Sequence, residues 1–302
     1  MPGGPALTIR LPGTGPVCSE TQTVYVGRGG TPLLAVPPHQ NIVHLSAVLL
    51  ALFVPSTGFA LSGETSCQSI EREHAAWSSL LRRYVQDGSV DYESWKRQGV
   101  PQLNNYLATL SSVCAADERA ASREERVAFW INTYNAFTVK LILDHYPVTS
   151  IRSIGLLPLS AFRTKFIPIP GLGKGDLSLD HIENDILRKE LGEPRIHFAI
   201  VCASKSCPKL RSEAYRADAV QLQLEQAARD FIQDSSKNRY DATERTFYAS
   251  SIFKWFRGDF ERAKGSLAAF IAQYAQPDIA AALRQGDVRI EFLDYDWSLN
   301  GK

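Results

Sequence analysis

The stretch RIHFAIVCASKSCPKL, residues 195–210, places one histidine and two cysteines within sixteen positions. A cysteine reacts as its thiolate, attacking a carbonyl carbon or another sulfur, and a nearby histidine can take its proton. Ile196, Phe198, Ile200 and Val201 sit between polar segments, which predicts a buried strand over 195–203 with the cysteines in the loop beyond it. Pro208 suits the first turn of a helix. Cys207 would then stand at the cap, where backbone N–H groups and the helix dipole favour a thiolate, helped by Lys205, Lys209 and Arg211. On a regular strand Cys202 faces away from His197, because their positions differ by an odd number. A bulge at the strand end would bring them together. A Cys202–Cys207 disulfide is the structural alternative, and the spacing is not the Cys-x-x-Cys of thioredoxin-like motifs.

In LSLDHIENDILRKEL, 177–191, Glu183 lies four residues from both Leu179 and Leu187, on the inward stripe of an amphipathic helix. A buried carboxylate needs a partner. Orienting a histidine as the third member of a Cys/His/Glu set is one solution, and a salt bridge to a buried Arg195 is another. His181 falls in the first turn, as a surface residue or as part of the site. WINTYNAF, 130–137, sets Asn132 and Asn135 at helical spacing in apolar surroundings. Both must hydrogen-bond, either to a substrate or oxyanion or to the backbone of a packed loop. His181, Glu183, His197 and a cysteine lack any standard zinc spacing, so no metal or other cofactor is expected.

Apolar periodicity predicts helices over 66–85, 102–110, 122–145, 178–191, 217–233, 253–262, 266–274 and 278–284. Ser122 and Glu125 form a capping-box pattern for the helix 122–145, which is apolar on nearly every side and therefore central. Strand pattern marks 166–169 as an edge strand or hairpin arm, 238–249 as a pair of short strands, and 288–293 as a last strand. The fold class expected is α+β: one compact domain over 61–302, with the central helix packed on a small mixed or antiparallel sheet.

The chain has 33 basic and 32 acidic residues, so no electrostatic excess points to nucleic acid. The segment 42–60 carries an uninterrupted apolar run from Ala47 to Val54 and ends in small residues, the pattern of a signal peptide cleaved after Ala60. Its apolar core is shorter than the ~20 residues of a membrane span, so no stable span is expected after cleavage. Residues 1–41, rich in Gly, Pro and Thr, are expected to be non-globular, and a start site placed too far upstream explains them. Export makes the protein periplasmic or secreted, where thiols oxidise. Cys67, Cys114, Cys202 and Cys207 then remain, with Cys67 and Cys114 the natural structural pair.

The motifs WINTYNAFTVKLI, LSLDHIENDILR, RIHFAIVCASKSCPKL, SSIFKWF and DYDWSLN occur in order across 71–300. Together they resemble the domain-of-unknown-function family 547. The resemblance implies an exported bacterial protein and, through a relationship suggested for the family, a papain-like cysteine hydrolase. On that reading Cys202 is the nucleophile, His197 the base and Glu183 the orienting carboxylate, with Asn132 and Asn135 lining the site. Plant members can carry serine at the position of Cys207, which favours Cys202. Many members have histidine where this chain has Asn184, and here a histidine stands at His181 instead.

Three functions follow. The first is a thiol-dependent hydrolase of peptide or amide bonds acting on a peptide-like or envelope substrate. The second is a non-catalytic envelope binding protein with oxidised cysteines. The third is a thiol redox protein using Cys202 and Cys207.

Overall fold

The computed structural model describes residues 69–157 and 159–302. The apolar segment 42–60, residues 1–41 and Cys67, with its expected pairing to Cys114, lie outside the described residues. Among the described residues, helices α1 (Ala75–Tyr84), α2 (Tyr92–Gln98), α3 (Val100–Ser111) and α4 (Ala115–Ala120) come first, with the hairpin β1 (Val85–Gln86) and β2 (Ser89–Val90) between α1 and α2. Helix α1 starts later than its periodicity predicts. Glu71 Oε1 accepts the N–H groups of Glu73 and His74, and His74 is left-handed, so the helix begins only at Ala75.

Helix α5 (Arg123–His145) forms as the sequence predicts. Ser122 Oγ accepts the Glu125 N–H at 3.2 Å and Glu125 Oε2 accepts the Ser122 N–H at 2.8 Å, a reciprocal cap that satisfies two otherwise unpaired donors. Its sides are enclosed by other helices, including α2 and α3. A short α6 (Ser160–Arg163) follows, and then α7 (Leu179–His181), which continues as a π-helical stretch, Ile182–Glu190. After α8 (Val220–Gln233) comes the hairpin β3 (Arg239–Asp241) and β4 (Thr246–Ala249). Four helices succeed it: α9 (Ser251–Trp255), α10 (Arg257–Lys264), α11 (Leu267–Tyr274) and α12 (Pro277–Gln285). The last strand, β5 (Arg289–Phe292), pairs parallel with β4, while β3 pairs antiparallel with it.

The class is α+β, and the three-stranded sheet is small and mixed. The central helix is not laid on that sheet, however. The apolar residues of α5 belong to a core shared with α1, α3 and the π-helical stretch, whereas β4 contributes Phe247 and Ala249 to a second core with α8 to α12. Phe198, Phe253, Phe260 and Phe270 are buried in this second core. Each contributes roughly 1.5–3 kcal/mol by leaving water.

The strand expected over 195–203 does not form. Pro194–Phe198 is a 3-10 helix, started by Pro194 in its first turn and by Glu193 accepting the Arg195 N–H. The apolar alternation that suggested a strand has another cause. Ile196, Ala199, Ile200 and Val201 enter the first core and Phe198 the second, so the segment runs between the two. The arm at 166–169 likewise reduces to an isolated bridge between Ile167 and Leu177. No helix among the described residues is long and apolar enough to cross a membrane.

Candidate functional site

The loop after Val201 turns back on itself at Ala203, whose φ of 60° is left-handed. It is strapped to a segment near the end of the chain. Lys205 N–H donates to Ser298 O at 2.8 Å, Asn300 N–H to Ala203 O at 3.0 Å, and Asp296 N–H to Ser206 Oγ at 2.9 Å. This strap brings Tyr295 onto the cysteines. Its hydroxyl lies 3.2 Å from both Cys202 Sγ and Cys207 Sγ, and the two sulfurs are within bonding distance of one another, with their Cα atoms 6.2 Å apart. Cys207 Sγ also accepts the Cys202 N–H at 2.9 Å. Cys207 is buried and Cys202 half-buried. The helix expected to start at Pro208 is absent: the chain stays irregular until α8, so no helix dipole acts on Cys207.

Both sulfurs line a cavity of about 530 Å³, together with Tyr134, Glu183, His197 and an aromatic wall that includes Trp255, Tyr295 and Trp297. The wall is continuous: the Tyr295 ring centroid lies 4.8 Å from that of Trp255 and 4.6 Å from that of Trp297. An apolar cavity with a few converging polar groups is the usual form of a small-molecule or peptide site.

The fold therefore brings Cys202, Cys207, His197 and Glu183 to one cavity but does not link them as a triad. His197 Nε2 bonds Asp259 Oδ2 at 2.8 Å, and its ring stacks on Phe256 at 3.9 Å. Nδ1 is buried without a partner. Burial lowers the His197 pKa to about 4 against the opposing pull of Asp259, so the ring is neutral at pH 7. Burial would raise the pKa of Asp259, but hydrogen bonds from His197 and Arg188 outweigh it and hold the carboxyl well below its usual range. Neutral His197 thus donates its Nε2 proton to ionised Asp259. Asp259→Asn removes the charge that Arg188 and His197 face and is expected to cost about 1.5 kcal/mol of stability at pH 7, read as a lower urea midpoint.

Glu183 bonds neither His197 nor Arg195. Arg195 pairs with Glu193 at 2.8 Å and Glu225 at 2.7 Å instead. The Tyr134 hydroxyl donates to Glu183 Oε2 at 3.5 Å. Although half-buried by exposed area, its carboxyl is walled in by protein. Desolvation is the largest cause raising its pKa to about 7, with Asp180 adding to it and Arg188 opposing. A carboxyl that titrates near neutrality inside a cavity can give or take a proton there.

The other expected site residues stand off the cavity. Asn132 Nδ2 donates to Tyr215 O at 2.7 Å and its Oδ1 accepts the Tyr215 N–H at 3.0 Å. Asn135 does the same one turn on, donating to Ala199 O and accepting the Val201 N–H, each at 2.9 Å. Both asparagines clasp packed backbone, so neither lines the cavity. His181 Nδ1 pairs with Asp185 at 3.0 Å along the helix, also outside the cavity. Among the described residues no group of His, Cys, Asp or Glu is arranged to hold a metal ion. Sequence reasoning missed Asp259, Tyr134 and Tyr295 as site residues. Tyr134 and Tyr295 lie inside motifs singled out earlier, whereas Asp259 sits in RGDFERAK, where nothing local distinguishes it.

Residues 119–232 match a family described as protein of unknown function, DUF547. That segment is similar to DUF547. The matched segment includes α5, the π-helical stretch, both cysteines and all but the last residue of α8, and so supplies Tyr134, Glu183, His197, Cys202 and Cys207. Trp255 and Tyr295 of the cavity wall, and Asp259, which bonds His197, come from beyond it, so the cavity is built jointly by the matched segment and the chain that follows. Comparisons with curated proteins and with solved structures gave no match.

Proposed function

We propose that the protein is an exported thiol–disulfide exchange enzyme that works in this cavity. The observation that carries the reading is the Cys202–Cys207 pair on the cavity wall, at bonding distance and sharing the Tyr295 hydroxyl. Cys202 is the more open sulfur and is therefore the one attacked. A substrate thiolate bonds to Cys202 Sγ, the Cys202–Cys207 bond breaks, and Cys207 leaves with the electron pair and takes a proton. A second substrate thiolate then attacks the substrate's own sulfur and releases Cys202. The substrate gains a disulfide and the protein two thiols. The Tyr295 hydroxyl and the Cys202 N–H both stabilise the departing Cys207 thiolate. Glu183, titrating near 7, provides or removes the protons.

A second reading, a cysteine hydrolase of peptide or amide bonds, is favoured by Cys202, His197 and Glu183 lining one cavity. With the disulfide opened, Cys202 attacks the carbonyl, and neutral His197 has an unpartnered Nδ1 with which to act as base. Iodoacetamide labelling of the native protein, read by mass spectrometry, separates these. Exchange requires both cysteines to resist label until a mild dithiol is added and then to take it together. Rapid labelling of Cys202 without reductant, abolished by His197→Ala, would sink exchange and support the hydrolase. A pair that stays closed in the folded protein under reductant would leave only a binding module with structural cysteines. Export to the periplasm or medium rests on the 42–60 segment, and N-terminal sequencing of the mature protein is expected to begin at Leu61.

A further inference from the structure

Beside the cavity stands a short protrusion that the thiol chemistry does not use. Its leucines are among the most exposed large apolar residues of the described chain: Leu156 is 101% and Leu157 71% exposed, and Leu222 on α8, at 73%, stands apart from them in sequence. They are not there through slack. Ile151 and Ile154 anchor the base of the protrusion in the core, and Ser160 closes it, its Oγ donating to Ile154 O at 3.1 Å and its N–H to Leu157 O at 3.0 Å. Gly155 makes the turn possible: its φ is +91°, and a Cβ there would meet Ser160 Oγ at 2.1 Å.

The charge carried by this segment of the chain is of one sign. Between Asp144 and Asp176 the sequence contains no Asp or Glu, yet it holds Arg152, Arg163, Lys165 and Lys174, in a chain whose overall charge is nearly balanced. Arg152, Arg163 and Lys165 flank the leucines and are exposed. Exposed leucines flanked by cations, in a segment that itself carries no carboxylate, fit an anionic phospholipid surface: the apolar side chains enter the headgroup boundary and the cations pair with the lipid charge.

We propose that Leu156 and Leu157, with Arg152, Arg163 and Lys165, dock the protein peripherally on anionic bilayers. Arg152, Leu159, Phe162 and Arg163 also line the cavity, so docking turns its mouth toward the membrane, whatever chemistry the cavity performs.

The test is co-sedimentation of the processed protein with phosphatidylcholine vesicles, with and without about a quarter phosphatidylglycerol, at low salt and at roughly 0.5 M salt. Wild-type partitioning is expected to rise at least about ten-fold with anionic lipid and to fall back at high salt. Leu156→Ser with Leu157→Ser should lower partitioning onto anionic vesicles by about ten-fold or more, and Lys165→Gln by roughly five-fold. These side chains are exposed, so folding is retained, as a thermal melt will check. Each protein is used in its processed form, beginning at Leu61, so the apolar segment 42–60 does not contribute and the ratio to wild type reads the tip. Equal partitioning onto neutral and anionic vesicles, or leucine variants that bind like wild type, overturns the proposal. Loss of self-association in the leucine variants, with lipid binding unchanged, also overturns it and reassigns the tip to a second copy of the chain.

Discussion

Asn135→Ala is expected to destabilise the protein by about 4 kcal/mol, because it leaves two buried backbone groups unpaired and each such orphan costs roughly 1–3 kcal/mol. The Val201 N–H and the Ala199 carbonyl both end on the Asn135 amide, and they lie in a segment with no neighbouring strand to take them. The side chain does the work of a sheet partner. Asn135→Asp keeps an acceptor for Val201 but loses the donor to Ala199 and buries a charge, so it should be no milder. Urea unfolding of the two variants, with the slope unchanged from wild type, checks this. A loss under about 1 kcal/mol would mean that water replaces the amide, and that the clasp does not hold the cysteine loop.

Glu183→Gln is expected to do the reverse: it strengthens the fold above neutral pH while slowing thiol exchange. The folded pKa of Glu183 is raised to about 7 from an ordinary 4.5. A raised carboxyl contributes its full stability below the unfolded value, and this is lost as pH climbs through the folded value, because ionisation then has to occur in the desolvated cavity. The gap corresponds to about 3 kcal/mol, and residual water in the open cavity reduces this to about 2 kcal/mol. At pH 8 the glutamine variant should therefore exceed wild type by about 2 kcal/mol, and near pH 4 the two should coincide. Oxidation of a model dithiol should slow by at least about ten-fold, with loss of the inflection near neutrality that wild type shows. A variant equally stable at pH 4 and pH 8 relative to wild type would place the Glu183 carboxyl in water rather than in the cavity wall.

How far the sequence announced all this depended on whether the signal was local. Helix α5 was legible because Ser122 and Glu125 cap it within four residues. The hairpin of β3 and β4 and the strand β5 were legible from short-range pattern in the same way. The segment 195–203 was misread because alternation between two cores imitates alternation across a sheet; Ile196 and Phe198 point into different clusters, and only the tertiary structure supplies two of them. Asn132 and Asn135 declared that they needed partners but not which ones, since Tyr215 lies 83 residues from Asn132. Asp259 was invisible for the same reason: it becomes a site residue only by meeting His197, 62 positions away.

The strap between the cysteine loop and the segment 294–300 has a consequence for how the molecule is made. Tyr295, which bridges both sulfurs, is synthesised 88 residues after Cys207. Until that segment arrives, Cys202 and Cys207 have neither the aromatic wall nor the backbone bonds that hold their loop. A nascent chain thus carries two thiols without a pocket, open to any oxidant it meets, and the cavity around them is completed only as the final stretch folds back over what came earlier.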